Sequence, residues 1–118
     1  MDVIESFKGD SWEIELSILD EDGNVPSGIE NYNAKYSLSK RPNGSDEDNV
    51  IATDEVTLSI SALGVITGIV DPDITKLVPS GKYVEQIRLA TVDGTIVQTF
   101  ERYRNVKSVN YIPETPTP

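Results

Sequence analysis

Trp12-Glu13-Ile14-Glu15-Leu16-Ser17-Ile18 decides the fold class. Large apolar residues alternate with Glu, Glu and Ser, so an extended chain puts Trp12, Ile14, Leu16 and Ile18 on one face, whereas a helix would scatter them around its circumference. Immediately after it comes Asp20-Glu21-Asp22-Gly23-Asn24, in which Gly admits a positive φ and Asp or Asn bonds to the turn backbone.

The same beat continues outward from this strand. Tyr32, Ala34, Tyr36 and Leu38 share one face of a second alternating run that follows the Pro26-Ser27-Gly28 connection. Residues Lys40 to Asn49 hold Arg41-Pro42-Asn43-Gly44 and the acidic run Asp46-Glu47-Asp48, which read as a loop. Three short β-branched runs follow, over 50–52, 56–60 and 65–70. One helical turn is expected between Asp71 and Ser80, opened by Pro72 and closed by Pro79. Tyr83 to Thr91 is a strand with Tyr83, Ile87 and Leu89 on one face. Asp93-Gly94 signals a two-residue hairpin, with Thr95 to Tyr103 as the partner strand and a weaker last run over Val106 to Ile112. Ile112-Pro113-Glu114-Thr115-Pro116-Thr117-Pro118 cannot donate ladder bonds at its prolines. The chain therefore divides into a domain over 1–112 and a Pro-rich C-terminal tail over 113–118.

Composition excludes whole classes of chemistry. The 118 residues suit one domain. With no His and no Cys, there is no Ser-His-Asp triad, thiolate nucleophile or Cys/His zinc site, and no disulfide. Twenty acidic residues against ten basic ones give a net charge of −10, which would repel a phosphate backbone, so neither nucleic acid nor an anionic membrane is expected as a partner. Met1-Asp2-Val3-Ile4-Glu5 lacks the basic start of a signal peptide, and the expectation is a chain made in a reducing cytoplasm.

About seven to eight short strands, turn signals between them and almost no helix predict an all-β antiparallel β-sandwich or small barrel. Leu77-Val78-Pro79-Ser80-Gly81-Lys82-Tyr83 resembles the corner between the fifth and sixth strands of immunoglobulin-like domains. There a Leu plugs the core and a Tyr bonds back to the corner backbone, roles that the resemblance assigns to Leu77 and Tyr83.

The wider order of Phe7-Lys8-Gly9-Asp10-Ser11, Asp20 to Gly23, Gly64-Val65-Ile66, Leu77 to Tyr83 and Asp93-Gly94 is similar to the Ig-like domain of tailed-phage virion proteins, notably the amino-terminal domain of baseplate upper proteins and related head or tail accessory proteins. That resemblance implies a non-enzymatic structural unit of a bacteriophage virion, docked on capsid or tail proteins as a homo-oligomer or symmetric array. The small size points to capsid decoration. A carbohydrate-binding or adhesin module, assisted by Ca²⁺, is the alternative.

Candidate sites are few. Asp20 to Asn24 lacks EF-hand spacing and reads as an acidic turn, and Asp46 to Asp48 with Asp54 and Glu55 reads as a solvated loop. Glu13 and Glu15 stand about 7 Å apart at twice the strand rise, but a wet strand face explains them without catalysis. No catalytic, metal or cofactor-binding residue is expected, and no cofactor. Trp12, Tyr32, Tyr36, Tyr83 and Phe100 are read as core. The partner contacts are placed at the two chain ends: Val3, Ile4 and Phe7, and Tyr111, Ile112 and Pro113.

Overall fold

The computed structural model describes residues 3–42, 46–53 and 55–108. Eight strands lie within them: β1 (Val3–Phe7), β2 (Trp12–Ser17), β3 (Asn33–Ser39), β4 (Asn49–Ile51), β5 (Leu58–Ile60), β6 (Val65–Val70), β7 (Gly81–Ala90) and β8 (Ile96–Lys107). They form a five-stranded sheet in the order β1-β8-β7-β3-β4 and a three-stranded sheet in the order β2-β6-β5. The second, fifth and fourth strands of the immunoglobulin sandwich pair in this way, against a sheet centred on the third, sixth and seventh. The protein is an immunoglobulin-like β-sandwich without a disulfide.

Alternation builds the core as expected. Trp12, Ile14 and Ile18 from the β2 segment, Tyr36 and Leu38 from β3, Ile66 and Val70 from β6, and Tyr83, Ile87 and Leu89 from β7 are all buried in one cluster, with Leu16, Tyr32, Ala34 and Phe100 packed against it.

The structure corrects several details. One pair is parallel: β1 joins β8 in the register Val3↔Tyr103 to Phe7↔Lys107, because the turn over 8–11 sends the chain across to the other sheet instead of back along its own. The run that begins at Val106 is not a new strand at its start, since β8 continues unbroken from Ile96 to Lys107; residues 109–112 of that run lie outside the described residues. The loop after β7 has three residues, Val92-Asp93-Gly94: Thr91 and Thr95 close it through an N–H···O bond of 2.9 Å, and Gly94 takes φ +91°. A three-residue hairpin loop needs its left-handed residue last, where Gly94 stands. Two 3-10 turns, Ile29–Asn31 and Asp46–Asp48, accompany the expected helical turn α1 (Pro72–Thr75).

The corner confirms the tyrosine and rejects the leucine. Tyr83 Oη donates to the Pro79 carbonyl at 2.7 Å, so that end of β7 is tied to its own approach loop. Leu77 is 74% exposed, and Val78, at 2%, fills the core in its place. The short helix rotates position 77 outward, and the next residue inherits the inward direction. Thr75, fully buried, ties this corner to the β1–β2 turn: its hydroxyl donates to the Asp10 carbonyl at 2.7 Å and accepts from the Gly9 N–H at 3.0 Å.

Charge also enters the core. Glu85 occupies the inward beat between Tyr83 and Ile87 and is 1% exposed. Tyr36 Oη donates to its Oε2 at 3.0 Å, Arg102 Nε donates to its Oε1 at 2.8 Å, and Arg104 Nε donates to its Oε2. Arg104 lies 5.0 Å from the Trp12 ring centroid and reaches Ser6 Oγ through Nη1. Its Nη2 is buried without a hydrogen-bond partner among the described residues. Burial and the Glu85 charge together hold the Tyr36 hydroxyl well above its ordinary pKa.

Candidate docking surface at the loop end

Strand direction collects three connections at one end of the sandwich. The tight β1–β2 turn places the start of β2 beside the start of β7, so the end of β2 lies at the opposite end, where β7 turns into β8. The segment over 18–32, the β5–β6 turn over 61–64 and the β7–β8 loop over 91–95 therefore share that end. The Ile18 N–H donates to the Gly64 carbonyl at 2.7 Å, joining the first two.

Four of the ten large exposed hydrophobic residues among the described residues fall in these segments, and two more stand beside them. Leu19 (56% exposed), Val25, Leu63 (78%) and Val92 (78%) lie within them, and Ile96 and Val97 follow at the start of β8. A solvated turn has no folding reason for a Leu or Val at its tip, and clustered exposed apolar residues mark interaction surfaces. Charge surrounds them with one sign: Asp20, Glu21, Asp22, Glu30 and Asp93 are exposed, and the three segments contain no Lys or Arg.

Part of this acidity shapes the turns. Asp20 Oδ1 accepts the N–H groups of Asp22 and Asn24 at 2.9 Å each, and Gly23 sits at φ +82°. Asp93 Oδ1 accepts the Thr95 N–H at 3.2 Å and the Thr91 hydroxyl, which hold its carboxyl below the usual range. In the other acidic stretch, Arg41 grips Asp48 with Nε and Nη2, both at 3.2 Å, and Glu55 Oε2 accepts the Ala52 N–H. Asp54 falls outside the described residues.

The contacts expected at the chain ends are placed differently. Val3 and Phe7, 49% and 41% exposed, stand on the outer face of β1 in register with Tyr103 and Lys107. Ile4 is half-buried on the inner side. It lines a cavity of about 360 Å³ between β1 and β2 together with Trp12 and Arg104. Tyr111, Ile112 and Pro113 lie outside the described residues. Glu13 and Glu15 stand exposed on the outer face of β2, in register with Ile69 and Thr67.

The loop-end residues were missed because each is a single apolar side chain inside a turn signal. One clue was available: in Ile18-Leu19 and Ile96-Val97 two apolar residues are consecutive, so one member of each pair must leave an inward beat of two.

No family model matches the chain, and no curated protein does. Among solved structures it is similar to a crystal structure of a single-residue mutant of the SrpA adhesin from Streptococcus sanguinis, at 16% identity and a TM-score of 0.47. The alignment covers 97% of this chain and 60% of that one, so the chain spans 60% of the length of that adhesin chain.

Proposed function

We propose that this β-sandwich is a non-enzymatic docking module whose loop end, Leu19, Val25, Leu63 and Val92 with Ile96 and Val97, seats on an apolar patch rimmed by Lys and Arg on a partner protein. The observation that carries the reading is the coincidence, at one end, of exposed aliphatic side chains with five carboxylates and no cation. Complementary charge steers such an encounter, and apolar burial holds it.

In its finer form, the partner is an assembled tailed-phage capsid or tail lattice, as the resemblance of the Phe7–Ser11, Gly64–Ile66 and corner segments implies. The protein is then made in the host cytoplasm and incorporated into the virion, where copies repeated around a symmetry axis add weak contacts through multivalency. A sugar platform is less well supported. Such a platform presents aromatic faces, whereas Tyr32, the one aromatic residue in the three segments, packs against the core.

Co-sedimentation tests both levels. Sedimentation with purified heads supports decoration, and sedimentation with tails supports a tail adaptor. Loss of either on replacing Leu63 and Val92 by Asp assigns the contact to the loop end. A protein left in the supernatant with both particles rejects the virion partner, and binding to a glycan array instead would favour the sugar-binding alternative.

A further inference from the structure

On the outer face of the large sheet, Lys35 of β3 and Arg88 of β7 are direct cross-strand partners. Like charges directly opposite one another destabilise a strand pair. Six of the ten cations are neutralised or stacked: Arg41, Lys76, Arg102, Arg104 and Lys107 all contact carboxylates, and Lys82 sits 4.3 Å from the Tyr103 ring centroid. Lys8, Lys35, Lys40 and Arg88 have no carboxylate contact among the described residues, and of these only Lys35 and Arg88 face one another across a strand pair. The Lys35 side chain makes no ion pair or hydrogen bond among the described residues, and Arg88 donates only from Nη2, to Gln86 Oε1 at 3.3 Å. Carboxylates outnumber cations two to one in the whole chain, so a lack of acids does not explain the arrangement.

Both cations line one concavity of about 290 Å³, closed at one end by the β7–β8 loop. Asn33 and Thr53 add polar groups to its wall, Ala90 and Ile96 add an apolar side, and none of the described lining residues is acidic. This is near the lower end of the size of small-ligand pockets, and it combines an apolar wall with a few convergent polar groups.

We infer that this concavity binds an organic carboxylate with a short apolar body. The Arg88 guanidinium meets the two carboxylate oxygens in the fork geometry that a planar anion matches, and the Lys35 ammonium adds a second charge. Asn33 and Thr53 take remaining hydrogen bonds, while Ala90 and Ile96 receive the hydrocarbon. The bound anion also removes the repulsion between the two strands' cations, so binding stabilises the strand pair that forms the site. The concavity shares Ile96 and the β7–β8 loop with the proposed docking end, but its charged contacts, Lys35 and Arg88, take no part in that docking.

Titration of the ¹⁵N-labelled protein at low ionic strength, followed by two-dimensional NMR, tests it with hexanoate, acetate and hexylamine as probes. The expected result is saturable hexanoate shifts centred on Lys35, Arg88 and Ile96, with a dissociation constant on the order of 1 mM. Acetate should bind more weakly and hexylamine not at all. The K35Q/R88Q variant, whose two exposed-face substitutions leave the core intact, should weaken hexanoate at least about tenfold while its spectrum stays dispersed. Ile96→Ser should reduce hexanoate to the acetate level. Equal binding of hexanoate and hexylamine, unchanged affinity in K35Q/R88Q, or no saturable shift would each overturn the assignment. None of these results depends on whether Leu63 and Val92 dock a partner.

Discussion

Tyr36 and Glu85, 49 residues apart in the chain, meet at 3.0 Å between β3 and β7, with the tyrosine fully buried. Burial penalises the phenolate first, and losing the proton would also set a second negative charge beside Glu85, so the Tyr36 pKa is raised.

A pH dependence follows from that contact. The unfolded chain releases the Tyr36 proton near pH 10, while the folded chain keeps it. The stabilisation is fully present below the unfolded pKa and is lost as pH rises above about 10 toward the folded value. Melting temperature should therefore fall steeply above pH 10. Tyr36→Phe should flatten that fall while costing about 2 kcal/mol at pH 7 for the lost hydrogen bond to a buried carboxylate. Parallel alkaline melting curves for the two proteins would contradict this.

Removing the carboxylate is costlier than removing the phenol. Glu85→Gln leaves Arg104, 2% exposed, without its counter-charge, and should destabilise the domain by about 3–5 kcal/mol in urea unfolding. The double variant E85L/R104M should be more stable than Glu85→Leu alone, since it removes the uncompensated charge together with the unpaired Nη2. If the double variant is the less stable, the Arg104 contacts to Trp12 and Ser6 outweigh the charge.

At the corner, Tyr83→Phe should lower unfolding free energy by about 1 kcal/mol, the loss of its bond to the Pro79 carbonyl with the ring still packed. Leu77→Ser, at 74% exposure, should change stability by less than about 0.5 kcal/mol. Thermal melts of the two variants check the reassignment of the plug from Leu77 to Val78.

Gly64 supports the loop end. At φ +78° its Cβ would stand 2.9 Å from both the Ile18 carbonyl oxygen and Val25 Cγ1. Gly64→Ala should destabilise by more than about 1 kcal/mol, and NMR shifts should spread to Ile18 and Val25. A neutral substitution would mean that the β5–β6 turn is not held against the segment over 18–32.

Folding and docking should separate at the tips. Leu63→Asp and Val92→Asp, each on a residue 78% exposed, should leave the melting temperature within the range of ordinary surface substitutions. In the co-sedimentation assay, either should abolish particle binding. A variant that unfolds instead would place its residue in the core.

The fold was largely legible because burial follows a beat of two that the chain writes out. Trp12, Ile14 and Ile18, Tyr36 and Leu38, and Ile87 and Leu89 all occupy the side that their alternation predicts. The same beat runs through Glu85, Arg102 and Arg104, in step with Ile87, Phe100 and Val106, but a charged residue type does not by itself mark a core position. Each is affordable only because the others are there, and that compensation joins residues on different strands. The loop end was hidden for a related reason: Leu19, Leu63 and Val92 are scattered over 74 positions of the sequence, and no local window shows that they face the same way.

Composition and period by themselves determined a β-sandwich with an aliphatic and aromatic core, acidic turns and no thiol or imidazole chemistry, since each depends on residue type or near-neighbour spacing; the corner tyrosine came from a resemblance of the segment over 77–83. Only the tertiary structure decided that β1 runs parallel to β8, that Val78 replaces Leu77, that Glu85 lies between two arginines, and that three separate loops present one acidic, apolar end. Those outcomes depend on strand register and sheet pairing, which bring together residues far apart in the chain.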